Sequence, residues 1–205
     1  MRTVAAVFGD PRLPDRTKVG QRFAPEDLES MRRAREALAG LPGWRLRFLD
    51  DHPEVGIVGP KVFDDAARTR LQRSFRRFPT LLTALFHRGA WLSRLWPRNP
   101  WTRRYLSLDC STDLPRATDW VSGCCLVVRG TLLEAIGGLD ERYPLFLEDV
   151  DLCRAAADAG SLVAWVPDAE VVHWVGGSRR KAPLRSEWLR HRSLTHWVTK
   201  HYRPW

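Results

Sequence analysis

The chain has 205 residues and a mass of 23.6 kDa, enough for one ordinary domain or two small ones with a core that needs no disulfides. Apolar residues at 44% and charged residues at 28% exclude a disordered chain, a collagen and a membrane-embedded body. Lys and Arg number 33 against 24 acids, a net charge of +9 with a pI near 10.1, which points to phosphate-bearing partners, nucleic acid or a membrane surface.

The run Thr3 to Phe8 is apolar, ends at Gly9 and predicts a buried strand. Pro25 opens a predicted helix. Glu26, Asp27 and Glu29 lie in its first turn, Arg32, Arg33 and Arg35 follow, Leu28, Met31, Ala34 and Leu38 keep helical spacing, and Gly40 stops it. Trp44, Leu46 and Phe48 alternate with Arg45 and Arg47, so the pattern predicts a second strand over Trp44 to Leu49. Strand, helix and strand in about fifty residues make a βαβ unit, expected over residues 1–49. Val55 to Pro60 predicts another strand. Pro79, Pro97 and Pro100 cut the segment Ala66 to Tyr105 into short amphipathic pieces. Trp120 to Val128 is the most strand-like run. After Gly130, Thr131 to Ile136 predicts a short helix stopped by Gly137 and Gly138; Phe146 to Ala159 predicts a longer one closed by Gly160, and Leu162 to Val166 a strand ending at Pro167. Alternating strands and helices place the chain in the α/β class.

The charge is unevenly distributed. Ala66 to Leu108 holds ten arginines and no acid, a local charge of +10, while Ser178 to the end adds +7, which leaves −8 for the rest. Both basic segments carry tryptophans: Trp91, Trp96 and Trp101 in the first, and Trp188, Trp197 and Trp205 in the second. Arg beside Trp with interspersed Leu suits an anionic bilayer surface; a solvated basic face whose indoles pack inward suits the pattern equally well. Nucleic acid is not expected, because no recognition motif accompanies the charge. No run approaches the ~18 apolar residues of a spanning helix, and Met1 to Gln21 lacks a signal-peptide core. The expected location is the cytoplasm, with peripheral attachment at the inner face of the cell membrane. The four cysteines, two of them the adjacent Cys124 and Cys125, form no C-x-x-C pair and read as reduced packing residues.

Glu148, Asp149 and Asp151 place three acids at the start of a predicted helix. Acids there complement the helix dipole; a carboxylate there can also act as a general base toward an attacking hydroxyl. Neighbouring helical side chains diverge by about 100°, so only one of Glu148 and Asp149 faces a given reacting atom.

From Phe48 onward the sequence resembles the C-terminal half of family 2 glycosyltransferases, in particular rhamnosyltransferase-like members that build cell-wall polysaccharide. The resemblance rests on Phe48-Leu49-Asp50-Asp51-His52-Pro53 running through Val55-Gly56-Ile57-Val58-Gly59-Pro60-Lys61, on Arg76-Arg77-Phe78-Pro79-Thr80, and on Asp119-Trp120-Val121-Ser122-Gly123-Cys124. It continues in Gly137-Gly138-Leu139-Asp140-Glu141-Arg142-Tyr143, Glu148-Asp149-Val150-Asp151-Leu152-Cys153, Val166-Pro167-Asp168-Ala169, Val171-Val172-His173 and Lys200-His201-Tyr202. It implies an incomplete GT-A-like mixed sheet with flanking helices over residues 50–205. The implied reaction is inverting transfer from a nucleotide-activated sugar, dTDP-rhamnose being one such donor, to a glycan or lipid-linked acceptor. By the same resemblance Asp149 is the catalytic base, supported by Glu148; Trp120, Ser122, Gly123 and Asp151 belong to the acceptor side; and His173 approaches a Mg²⁺ or Mn²⁺ ion at the diphosphate. Taken alone, Trp120 reads as a core aromatic, and a lone histidine after a strand, such as His173, is more often a packing residue.

The motifs with which that family holds the nucleotide and its metal, Thr-Tyr-Asn, Asp-Asn-x-Ser and Asp-x-Asp, do not occur before Phe48. Residues 1–51 instead weakly resemble the opening of D-alanine ligase-like ATP-grasp proteins. The expectation is therefore a truncated or fused chain with impaired transfer. The alternative is a non-catalytic module that binds membrane or a partner through its basic, Trp-rich segments.

Overall fold

The computed structural model describes residues 3–7, 44–65, 67–80, 82–83, 95–96, 99–173 and 183–202. In chain order these form β1 (Thr3–Val7), α1 (Trp44–Asp51), β2 (Val55–Phe63), β3 (Leu71–Gln72), β4 (Phe75–Arg76), α2 (Pro100–Tyr105) and β5 (Arg116–Thr118). There follow β6 (Trp120–Val121), β7 (Cys125–Arg129), α3 (Gly130–Ala135), α4 (Glu148–Asp158), β8 (Leu162–Val172) and α5 (Pro183–His201). The helix expected from Pro25 lies outside the described residues.

Two parallel strands, β2 and β8, form the middle of a six-stranded mixed sheet ordered β1-β7-β2-β8-β5, with β3 also pairing with β2; a separate antiparallel ribbon joins β4 to β6. The period-two alternation of strand side chains sorts the apolar residues onto the two faces. Ile57, Leu126, Val128, Val163 and Trp165 enter one core, with Val150, Leu152 and Cys153 of α4. Their immediate neighbours Val58, Val127, Ala164 and Val166 enter a second core with Leu49 of α1. A central strand covered on both faces is continuously apolar, and β2 is buried along nearly its whole length.

Three expectations are corrected, the first being the strand from Leu162, which does not end at Pro167 but continues beside β2 to Val172. Trp44 to Leu49 is helical, not extended. The alternation stops at the adjacent apolar pair Phe48 and Leu49, and His52, four residues after Phe48, stacks on its ring at 4.2 Å and donates its backbone N–H to the Phe48 carbonyl at 3.1 Å, a pairing that only helical spacing provides. The strand expected over Trp120 to Val128 is two strands in different sheets. It breaks at Ser122–Cys124, where Cys125 donates to the Ser122 carbonyl at 3.4 Å. β1 is a strand as expected, but it runs antiparallel to β7, and with Trp44–Asp51 helical the expected second strand of a βαβ unit is not formed.

Candidate active site

The site is built where the break between β6 and β7 meets the first turn of α4. Phe146 and Leu147, just before the helix, both take left-handed backbone conformations, with φ of 65° and 69°, which are strained for residues with a Cβ. They turn the chain so that Asp149 points back at the β6–β7 turn. Asp149 Oδ2 accepts the Gly123 N–H at 2.7 Å, and Oδ1 accepts the Val150 N–H at 2.9 Å. A Cβ at position 123 would stand 3.0 Å from the Asp149 Cβ. Glycine at 123 thus lets this carboxylate approach without a shift of a few tenths of an ångström.

Asp149 keeps part of its surface open while its carboxylate is packed among protein atoms. Burial pushes its carboxyl above the ordinary carboxylate range; the bonds from Gly123 and Val150 and the positive charge of Arg76 pull in the opposite direction without cancelling it. A carboxylate raised in this way is a better proton acceptor than a solvated one. Glu148, first in the helix, is half-buried beside it.

Trp120 is buried at 6% exposure, donates its indole N–H to the Arg77 carbonyl at 2.7 Å and carries the Arg76 guanidinium 5.2 Å from its ring centre. In this structure it is a core aromatic that supports Arg76. Ser122 donates its backbone N–H to the Ser74 carbonyl at 2.7 Å, which ties the turn to the β3–β4 connection. Asp151, two residues after Asp149, is turned the other way and is 3% exposed. It accepts the Tyr143 hydroxyl at 3.0 Å, His201 Nε2 lies 2.8 Å from it, and it accepts Lys200 Nζ at 2.7 Å. The structure therefore brings together Asp149, Gly123, Ser122 and Trp120, and gives Asp151 to the C-terminal helix.

His173 follows β8, its Nδ1 3.2 Å from Gln72 Oε1. Burial lowers its pKa from the ordinary histidine value, against the charge of Asp64. Asp64 follows β2, and its Oδ1 is buried with no hydrogen-bond partner among the described residues. One carboxylate and one imidazole at the carboxyl ends of neighbouring parallel strands, where α/β sheets bind ligands, suit Mg²⁺ or Mn²⁺ carried on a diphosphate. Such ions take one or two protein ligands and fill the other positions with phosphate and water. Among the described residues no group of three or more His, Cys, Asp or Glu gathers to hold a metal.

Arg76 is the site residue that sequence reasoning missed. Its guanidinium lies between the rings of Trp120 and Tyr105, at 5.2 and 5.9 Å from their centres, and its Nε is buried without a partner among the described residues. One of ten arginines in a basic segment, it stands in the resembling stretch Arg76 to Thr80, but nothing there gives it a site role until the ribbon of β4 and β6 sets it beside Asp149.

An N-acetylglucosaminyl-diphospho-decaprenol L-rhamnosyltransferase of Mycobacterium tuberculosis is 35% identical over 153 residues, which cover 75% of this chain and 48% of that protein. The chain is related to the family 2 glycosyltransferases. Rhamnosyltransferase WbbL of Escherichia coli is 31% identical over 62 residues, covering 30% of the chain and 24% of that protein. The O-antigen biosynthesis protein RfbC of Myxococcus xanthus is 28% identical over 107 residues, covering 51% of the chain and 7% of that protein. No family model matches the chain. The chain spans about half the length of the Mycobacterium tuberculosis relative, and its α/β architecture, a mixed sheet with flanking helices, is compatible with the GT-A-like fold of this glycosyltransferase family.

Proposed function

We propose that this chain carries the acceptor side and the catalytic base of a glycosyltransferase that moves a sugar, rhamnose being the leading candidate, from a nucleotide donor such as dTDP-rhamnose to a lipid-linked or cell-wall glycan. The observation that carries the proposal is the Asp149 carboxylate, enclosed, held in place by the Gly123 N–H and raised in pKa beside an open surface. In the proposed reaction Asp149 takes the proton of an acceptor hydroxyl as its oxygen bonds to the anomeric carbon. The bond from that carbon to the nucleotide diphosphate breaks on the opposite side, with inversion. Glu148 supports the base. His173 and Asp64 would hold the divalent cation, which offsets the leaving-group charge when bound.

Residues 50–205 form the glycosyltransferase part of this proposal, with residues 1–49 a segment of separate origin. The absence of Asp-x-Asp before Phe48 supports slow transfer by the chain alone. Peripheral attachment to an anionic membrane is part of the same reading. It is favoured by Leu184 and Trp188, 86% and 62% exposed one turn apart on α5, with the Arg192 guanidinium 5.9 Å from the Trp188 ring. Among the described residues no helix is long and apolar enough to cross a membrane.

The test is transfer of labelled rhamnose from dTDP-rhamnose to a short-chain prenyl diphospho-N-acetylglucosamine. Asp149→Asn is expected to lower kcat by about 10² to 10⁴ with an unchanged circular dichroism spectrum. Equal rates in the variant, or no transfer by the wild-type chain, overturn the proposal.

A further inference from the structure

Beside Arg76, and outside the group around Asp149, lies a pocket of about 410 Å³ lined by Arg77, Arg103, Arg104, Ser107 and Asp109 among others. Its volume is that of a small-ligand site, and its lining sets three guanidiniums against one carboxylate. Arg103 pairs with Asp109, and Arg77 pairs with Asp119 at 3.0 Å. Arg104 is exposed and has no ion pair among the described residues. The pocket is firmly constructed. Arg77 N–H donates to the Tyr105 carbonyl at 3.0 Å, Arg73 donates to the carbonyls of Ser107 and Cys110 at 3.1 and 3.4 Å, and Asn99 caps α2 by accepting the Thr102 N–H at 2.8 Å. Arg76 connects it to the base, since its guanidinium lies against the ring of Tyr105 on one side and its charge acts on Asp149 on the other.

Apolar surface lies just before α2, whose Pro100 and Arg103 line the pocket. Leu95 and Trp96 are 72% and 50% exposed. Trp96 meets the ring of Trp101 edge-on at 5.5 Å and is tied to α2 through Asn99, whose side-chain amide donates to the Trp96 carbonyl at 2.9 Å. Several guanidiniums in one pocket select a phosphate over a carboxylate ligand, because phosphate offers more acceptor oxygens for paired N–H donors. An exposed Leu and Trp beside them select a ligand that continues as hydrocarbon.

We infer that this pocket is the subsite for the diphosphate of a prenyl-linked acceptor, with Arg77, Arg103 and Arg104 on the phosphates, Leu95 and Trp96 along the first part of the lipid, and Arg76 between the diphosphate and the sugar presented to Asp149. The inference rests on the transfer reading for the identity of the ligand. The geometry of the anion pocket stands apart from it.

Binding to the full chain by calorimetry tests it, with inorganic pyrophosphate and farnesyl diphosphate as probes. Pyrophosphate is expected to bind saturably, and farnesyl diphosphate more tightly. Arg104→Gln is expected to weaken both about tenfold or more, the scale of one lost charge-assisted hydrogen bond. Trp96→Ala is expected to weaken only farnesyl diphosphate. Arg68→Gln removes the same charge at a residue paired instead with Glu170 at 2.8 Å, and is expected to change neither. Unchanged binding in Arg104→Gln, or an equal loss in Arg68→Gln, overturns the pocket. Displacement of pyrophosphate by dTDP assigns it to the donor and overturns the acceptor assignment. So does Arg104-dependent binding to phosphatidylglycerol vesicles without pyrophosphate binding, which assigns it to the bilayer. Because none of these measurements needs turnover, a failed transfer assay leaves them readable, and a failed pocket leaves the role of Asp149 untouched.

Discussion

Asp149 and Asp151 lie in the same first turn of α4, and the protein treats them in opposite ways. Asp149 has two backbone N–H groups, no hydrogen bond from a cation among the described residues, and a carboxyl raised by burial. Asp151 is saturated by a hydroxyl, an ammonium and an imidazole from two other parts of the chain. Buried carboxylates that are fully partnered fix structure, whereas those left short of a cation keep the capacity to take a proton. The alternate pointing of helix positions 149 and 151 lets one turn do both, and the Asp151 cluster anchors the helix that aims Asp149.

The sharpest way to break the contrast is Asp151→Ala, which leaves Lys200, His201 and the Tyr143 hydroxyl around an empty, largely buried space. A loss of about 3 kcal/mol or more in urea unfolding is expected, far beyond the effect of Asp149→Asn on the same measurement. Comparable losses in the two variants would erase the division of roles. Next comes Gly123→Ala, whose added methyl stands 3.0 Å from the Asp149 Cβ. It is expected to cost about 1–3 kcal/mol of stability and to displace the carboxylate, so that kcat falls further than the unfolding midpoint explains. Wild-type kcat in a destabilised Gly123→Ala protein would show that the position of Asp149 is not critical.

The smallest effect concerns pH. Asp149 must be ionised to accept a proton, so activity is expected to rise with pH through a limb above the ordinary carboxylate range. The charge of Arg76 lowers that pKa, so Arg76→Gln is expected to move the limb to higher pH by about one unit or less, and Arg76→Lys to restore it. A limb that stays in place in Arg76→Gln would detach the arginine from the base.

Much of the site was legible as chemistry and little of it as geometry. The acidic turn at Glu148 to Asp151 and the glycine at 123 stand out in the sequence, and the helix around the former forms within two residues of its expected bounds. What the sequence could not supply is that the close partner of Gly123 is Asp149 itself, since that contact spans 26 residues and has no local pattern. The direction of Asp151 depends on residues 49 and 50 positions later. Trp44 to Leu49 misled because five alternating residues fit a strand, and the deciding interaction, Phe48 with His52, reaches beyond them. Nothing local announces the guanidinium of Arg76 that lies over the ring of Trp120.

The left-handed pair Phe146 and Leu147 is held from a distance. Ser193 of α5 donates to the Leu145 carbonyl at 2.7 Å, and Trp197 of the same helix is buried in the main core. These contacts span about fifty residues and come from a helix that leaves the ribosome after the turn itself. The turn that aims Asp149 therefore gains the Ser193 bond only once α5 is docked. A chain emerging from the ribosome has its sheet strands in hand before the base is aligned, and a truncation inside α5 would leave a folded sheet with an unaimed carboxylate.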